Sequence, residues 1–451
     1  MGAYPTAGTR LAGCPAVRYT NRLLDALRLE GDPVPDGLVA AVIARGETKA
    51  VNAGLRRLER NDQVVPAELP DDLEDWLRTS GRLPPDVDRA RLDRAAELFR
   101  EHGLQMALIL STASLIWCYA ATKGVKALMF SSRMRHDLYH RAAETSQFVL
   151  LVLAPGGLEE GGGGIRAIQK VRLLHSSLRD LIANSGRWPT DELGVPLCQE
   201  DMLLALLTFS HDVVAGLHRL GVDLDPQDAE DYCYAWWVIG ELLGIPRAII
   251  PTSIAEAAQL RALIARRQFG PSPEGAMLTK ALIEMHDRVM PGEAFDGLLP
   301  AVIRLLVGKQ VADWMAVPRG PWDHLIRHYG TIGRTLEFFD RSLGSVGDLV
   351  DELAYRSLTR MAIEATDTSA RASRSRASSA APGPAGVASR SRPRPRRPIW
   401  RSGADERPGR RRACQDRGPR IGGGNPRAER VPVHQPLAPP RAARRRGRGH
   451  R

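Results

Sequence analysis

The sequence predicts an all-α protein, and three observations carry that reading. Apolar residues recur at three- and four-residue intervals, segment after segment, to about residue 365. No stretch alternates apolar and polar residues at period two for long enough to propose a sheet. Beyond that point the texture changes: residues 368–451 hold only six Val, Ile or Leu among Arg, Pro, Gly, Ser and Ala. The chain therefore divides into one large helical-bundle domain, 1–365, and a disordered tail, 366–451. The tail has too little apolar surface to offset the entropy of ordering it.

Taken in order, helical spacing begins at Arg22–Arg28 and continues over Leu38–Arg60, where Leu38, Val42, Val51, Leu55 and Leu58 share a stripe. Pro66, Pro70 and Pro84-Pro85 punctuate short connections, and Asp71-Asp72 stands where it would cap a helix over Leu73–Ser80. Val87–Arg100 reads as a charged amphipathic helix leading into Leu104–Thr122, which carries no charge. That segment is about long enough to span a bilayer. Gln105, Ser111, Thr112, Ser114 and Thr122 interrupt it, however, and nothing comparable follows. It is assigned to the centre of a soluble bundle, and no transmembrane segment is expected. Val125–Phe130, the polar run Arg133–Glu144 and the apolar Phe148–Leu153 precede a glycine-rich connection, Ala154–Gly164. A helix containing Gln169–Arg179 follows, packed beside the one before the connection. Gln199-Glu200-Asp201 opens a long helix over Met202–Leu220, with acidic groups where the helix dipole favours them. Ala229–Leu243 is aromatic-rich and stops at Gly244-Ile245-Pro246. Ile254–Arg267, Gly275–Arg288, Leu298–Ala316 and Trp322–Ser342 complete the helices.

The net charge of +11 and pI near 9.8 invite a nucleic-acid reading, but the distribution removes it. After residue 367 there are 23 Arg, no Lys and 4 acidic residues, so the preceding part holds 40 basic against 48 acidic residues. The domain is mildly acidic and no specific nucleic-acid partner is expected for it. Three accounts of the tail stand open: a basic arm, a non-specific disordered extension, and out-of-frame translation of a GC-rich gene. The five cysteines, Cys14, Cys118, Cys198, Cys233 and Cys414, form no C-x-x-C pair, and Met1–Tyr19 lacks the apolar run of a signal peptide. A cytoplasmic protein is expected.

Two helical patterns carry candidate chemistry. Arg172, His175 and Arg179 lie at i, i+3 and i+7 and share a face. Two accounts of them are open. In one they form a solvated basic stripe, with Leu174, Leu178 and Leu181 as the buried side. In the other a neutral imidazole ligates iron and the guanidiniums pair with porphyrin carboxylates, a bidentate task that suits Arg. Arg141 and Thr145, four apart, share a face of the preceding helix. His136/His140 and His324/His328 are each spaced to share a metal, but no H-E-x-x-H or Glu-x-x-His pattern accompanies them. Cys118 and Cys233 are candidate haem thiolates lying in apolar helices, and Gly161–Gly164 lacks the Lys-Ser/Thr of a phosphate loop. The aromatics from Tyr232 to Trp237 are assigned to the core.

Arg141-x3-Thr145, the connection Gly156–Gly164 and Arg172-x2-His175-x3-Arg179, in that order, resemble the haem centre of the latex-clearing (rubber oxygenase) and MpaB-type oxygenase family. Flanking pieces agree: Ala50–Arg56, Arg60-Asn61-Asp62, Cys118-Tyr119, Lys123-Gly124-Val125, Gln199–Met202, Leu207–Ser210, Trp237–Gly244 and Arg266–Gly270. The resemblance runs from about residue 20 to 360. It implies a globin-like core with extra helices and a haem b whose iron takes His175 as proximal ligand. Arg172 and Arg179 would orient or pair with that haem. Arg141 and Thr145 would supply polar groups near it on the oxygen side, with Glu144 as a base or a supporting partner. The implied partners are dioxygen and a small apolar substrate, and the implied reaction is oxidation or cleavage of an alkene, isoprenoids included. Two departures turn the expectation away from natural rubber: Glu144 occupies a position where latex-clearing proteins have a lysine, and no secretion signal is present. A haem carrier or gas sensor, and a cofactor-free helical relic, are the alternatives.

Overall fold

The computed structural model describes residues 18–130, 138–289 and 297–323. The helices in order are α1 (Asn21–Leu27), α2 (Pro33–Ala44), α3 (Thr48–Arg57), α4 (Asp71–Thr79), α5 (Arg89–Ile109), a π-turn (Leu110–Ser114) and α6 (Leu115–Ala120). They continue as α7 (Gly124–Phe130), α8 (Leu138–Val152), α9 (Gly164–Ala183), α10 (Thr190–Leu193), α11 (Gln199–Phe209), α12 (His211–Arg219) and α13 (Pro226–Leu242). The last are α14 (Ile254–Gln268), α15 (Pro273–Val289), α16 (Leu298–Val307) and α17 (Lys309–Trp314). Among the described residues there is no strand, and the one β-type pairing is an isolated bridge between Ala121 and Phe269. The fold class is all-α, as the periodicity requires. The proposed helix Trp322–Ser342 and the tail lie almost wholly outside the described residues.

Three long helices expected from the sequence are broken in two, each for a backbone reason. Leu38–Arg60 divides at Gly46, whose φ of +72° lies in the left-handed region. Leu298–Ala316 divides at Gly308, φ +82°. Met202–Leu220 divides at Ser210, which leaves helical geometry (φ −106°, ψ −93°) while its Oγ donates back to Leu206 O at 2.8 Å. Apolar periodicity is nearly continuous across all three breaks, so it hides them.

α5, the π-turn and α6 form one 32-residue rod, Arg89–Ala120. By length and composition it would cross a membrane, but 56% of its most apolar window is buried inside the protein, as a core helix requires. α5 packs along α13, where Asp231 pairs with Arg91 and Arg94. The main core gathers around this rod, with Ile109, Ile116, Leu203, Leu207, Trp236 and Ile239 all fully enclosed. The Tyr232–Trp237 aromatics belong to that core: the Tyr232 hydroxyl donates to Phe209 O (3.0 Å), and Trp236 stacks on Phe209 at 4.8 Å. A second, smaller core joins α2, α3 and α4 to Leu173 of α9. The glycine-rich connection folds tightly between α8 and α9. Asn61 holds it, donating to Gly157 O at 3.0 Å and accepting from the Arg166 amide at 3.2 Å. A Cβ at Gly162 would lie 2.3 Å from Gly157 O, so only glycine fits there.

Candidate functional site

The face that α9 buries is the opposite of the one a basic surface stripe demands. Leu174 and Leu181 are 52% and 58% exposed, whereas Ile168, Leu173, Ser176, Arg179 and Ile182 are enclosed. The leucine spacing pointed outward, and the Arg–His–Arg face points in. Burial of guanidinium groups is tolerable only when they are paired, and both are. Arg172 grips Asp32 through Nε and Nη2, at 2.5 and 2.9 Å, and Arg179 reaches Asp36 through Nε at 2.8 Å. These bonds fasten α9 to α2. Gly244 makes room for the first pair: its φ is +92°, and a Cβ there would lie 2.4 Å from Asp32 Oδ2 and 2.6 Å from Arg172 Nε. The carboxylate partners of both arginines are thus the chain's own, which favours the orienting role over direct pairing with a cofactor.

Between these clamps lies His175. Its Nδ1 is sealed from solvent and has no hydrogen-bond partner among the described residues. Burial, then the positive charges of Arg179 and Arg141, lower its pKa to about 4. The ring is therefore neutral at pH 7, the state a metal ligand needs. No group of three or more His, Cys, Asp or Glu placed to hold a metal occurs among the described residues. A lone buried imidazole suits haem, whose iron asks one protein ligand at its proximal side. The thiolate alternatives weaken: burial pushes the Cys118 thiol up to about 11 and the Cys233 thiol higher still, so both stay protonated. The side chains of the two histidine pairs lie outside the described residues.

A pH dependence follows. A histidine whose pKa is depressed in the fold is protonated first in the unfolded chain. Its contribution is intact above pH 6.5 and is lost as pH falls toward 4, by about 3 kcal/mol at the limit. Urea unfolding of haem-free protein between pH 7 and 4.5 should show this slope. His175→Gln should flatten it to the share of His286, whose buried imidazole is also shifted down. An unchanged slope in the variant would contradict the assignment.

A cavity of about 700 Å³ opens between the α5–α6 rod and α8, with Thr208 and Phe209 of α11 also in its lining. This is the size range of ordinary ligand sites. Most of its wall is apolar, and most of its hydroxyls are turned to backbone: Ser114 to Thr208 O (2.7 Å), Ser146 to Ala142 O (2.9 Å) and Thr208 to Ala205 O (2.8 Å). Arg141 and Thr145 are among the residues lining this cavity, although Thr145 is also largely exposed to solvent; Glu144 is exposed and is not among them. His175 is not part of the wall either. Arg141 is the link, because its charge is felt both at His175 and at the hydroxyl of Tyr119, another wall residue.

Two polar features of the wall went unseen in the sequence. One is Tyr119. The other is Ser111 on the π-turn, whose Oγ lies 3.5 Å from His286 Nε2, while His286 Nδ1 sits 2.9 Å from Leu282 O. A carbonyl can only accept, so the His286 proton is on Nδ1. The π-turn widens the helix here and turns both Ser111 and Ser114 to the cavity, a use to which such bulges are often put.

This geometry can be set beside proteins of known sequence and structure. The profile of the family described as "ER-bound oxygenase mpaB/B'/Rubber oxygenase, catalytic domain" matches residues 99–338, which contain every cavity-lining residue but Ala96 and all six candidate residues. The chain is 28% identical over 294 residues to the rubber oxygenase of Streptomyces sp. (strain K30), covering 65% of this chain and 71% of that protein. Its fold is similar to the solved structure of latex clearing protein LCP in the closed state, with a TM-score of 0.66 and 26% identity, over 74% of this chain and 91% of that one. The profile match takes in more than half of the sequence and nearly all of the cavity lining, and on that ground the chain belongs to the MpaB/rubber oxygenase catalytic-domain family.

Proposed function

We propose that this oxygenase depends on haem b, and that it oxidises or cleaves a carbon–carbon double bond in an apolar substrate of the isoprenoid class. The observation that carries the reading is the neutral, partly buried imidazole of His175, whose Nδ1 is enclosed and has no hydrogen-bond partner among the described residues, with Arg141 linking it to an apolar cavity. The donor set fits a haem: His175 would supply one imidazole, and no group of three or more His, Cys, Asp or Glu placed to hold a different metal occurs among the described residues. His175 would hold the group, while Arg172 and Arg179, through Asp32 and Asp36, fix the helix that presents it. Bound there, haem supplies the activation of dioxygen. The chain itself makes the wall apolar with Leu104, Leu110, Leu115 and Phe209, and presents Arg141 there to polarise an oxygen atom, with Thr145 on the more exposed part of the lining. The apolar wall and the rubber oxygenase relative both favour a polyisoprene-like substrate or a shorter isoprenoid.

An absorption spectrum of haem-supplemented protein, with and without carbon monoxide, tests the cofactor. Oxygen uptake with a panel of linear isoprenoid alkenes then tests the reaction. A Soret band with imidazole character and oxygen-dependent products support the proposal. Colourless protein refutes it, and haem without products would favour the carrier. Arg141→Ala should lower turnover at least tenfold while leaving haem content within about twofold, since one polarising cation contributes on the order of 2–4 kcal/mol to such reactions. Loss of haem with unaltered turnover per haem would move Arg141 to cofactor binding.

A further inference from the structure

Tyr119 lines the cavity and has no part in the function proposed above. Its side chain is only 1% exposed, it belongs to the cavity wall, and its hydroxyl has no hydrogen-bond partner among the described residues. The contrast is the other fully buried tyrosine, Tyr232, whose hydroxyl is satisfied by Phe209 O. A buried hydroxyl without a partner is costly, and such groups mark places where a ligand completes the bonding. Arg141, another residue of the wall, is near enough for its positive charge to be felt at this hydroxyl. Burial keeps it protonated far above neutral pH, and it remains a donor.

A hydrocarbon offers no acceptor to such a donor. Oxidative cleavage of an alkene changes that. The C=C bond breaks, each carbon takes one atom of dioxygen, and two carbonyl compounds form, with dioxygen as the sole oxidant. Resting on the function proposed above, we infer that Tyr119, seconded by Arg141, is the recognition point for the carbonyl oxygen of an oxygenated isoprenoid end. The cavity then discriminates between unreacted hydrocarbon and carbonyl-terminated chain by one hydrogen bond. Tyr119 acts by binding and orienting that end, so an oxygenated terminus is held with its oxygen at the Arg141 side and its apolar chain along the α5–α6 rod.

The test compares an isoprenoid methyl ketone with the alkene of equal chain length, titrated against the full-length, haem-supplemented protein by calorimetry. The wild type should bind the ketone about tenfold tighter, the size of one well-made hydrogen bond to a buried donor. Tyr119→Phe should reduce that preference to twofold or less while retaining alkene binding. A second readout needs no ligand. Tyr119→Phe removes an unsatisfied hydroxyl and should raise the melting temperature by a degree or more, whereas Tyr232→Phe should lower it. A ketone preference that survives in Tyr119→Phe, or a fall in its melting temperature, overturns the inference. Turnover is measured separately, so a protein that prefers the ketone but makes no oxygen-dependent product would refute the enzyme while leaving the binding site in place.

Discussion

His175→Ala is expected to give a folded protein that retains less than one-tenth of the wild-type haem. The reasoning is local. The ring is neutral at pH 7 because burial and two neighbouring arginines hold its pKa near 4. Its enclosed Nδ1 neither donates nor accepts within the described residues, so the fold gains no hydrogen bond from it. Removing such a ring costs the packing of a partly buried side chain, about 1–2 kcal/mol, which is small against the usual stability of a domain. Losing the imidazole, by contrast, would remove the side chain proposed to hold the iron. Haem per chain, measured after supplementation, should therefore collapse while the far-ultraviolet circular dichroism stays unchanged. Free imidazole should restore part of the absorption by entering the space left by the side chain. Wild-type occupancy in the variant would remove the ligand assignment and, with it, the reason for placing haem on α9. Arg172→Ala makes the complementary case. It leaves the donor but unfastens α9 from Asp32, so partial and more easily dissociated haem is the expected outcome.

How much of this was legible in the sequence differs from residue to residue. Helical class, the order of elements and the core role of Tyr232, Trp236 and Trp237 follow from periodicity, because burying an apolar stripe is the main thing a helix sequence encodes. The broken helices were not legible, since Gly46, Ser210 and Gly308 interrupt the backbone without interrupting the stripe. The same rule misled at α9. Leu174, Leu178 and Leu181 have ideal spacing for a buried side, yet Leu174 and Leu181 face solvent because Asp32 and Asp36, more than a hundred residues earlier, draw the arginine face inward. No local pattern reports such a partner. The candidate site residues come from the resemblance of ordered short motifs, and the structure gives several of those motifs a physical task. Asn61 ties down the glycine connection, and Gly244 clears the space for Arg172. Tyr119 lay inside a recognised motif too, but a missing hydrogen bond can be seen only once all neighbours are in place.

One further motif pair, Gln199-Glu200-Asp201 and Arg266-Arg267-Gln268, predicts the largest loss of stability. Glu200 is completely buried at the start of α11, where the helix dipole favours a negative charge. Its carboxylate accepts from Arg28 Nε, Arg267 Nε and Gln268 Nε2, each at 2.8 Å. Those three donors come from the end of α1 and from α14, so a single side chain fastens three helices that are remote in sequence. Glu200→Ala would leave two inward guanidiniums with their outer partners only, Asp201 for Arg28 and Asp25 for Arg267. Breaking a buried pair from one side costs about 3–5 kcal/mol when the remaining charge is left without compensation, and the partners that remain here keep the loss toward the lower end. For a domain of this size that is a fall in melting temperature on the order of 10 °C. Glu200→Gln keeps the shape but replaces an acceptor oxygen by a donor facing donors, so it should fall nearly as far. Arg57→Ala, which removes an exposed pair with Glu68, should leave the midpoint where it was. Chemical and thermal unfolding of the three variants decides the matter. If Glu200→Ala melted within a degree or two of wild type, the shared motif would be no structural clasp, and its acidic residue would need another explanation. The clasp is separate from the cavity wall, so the folded fraction of Glu200→Ala should still take up haem in full.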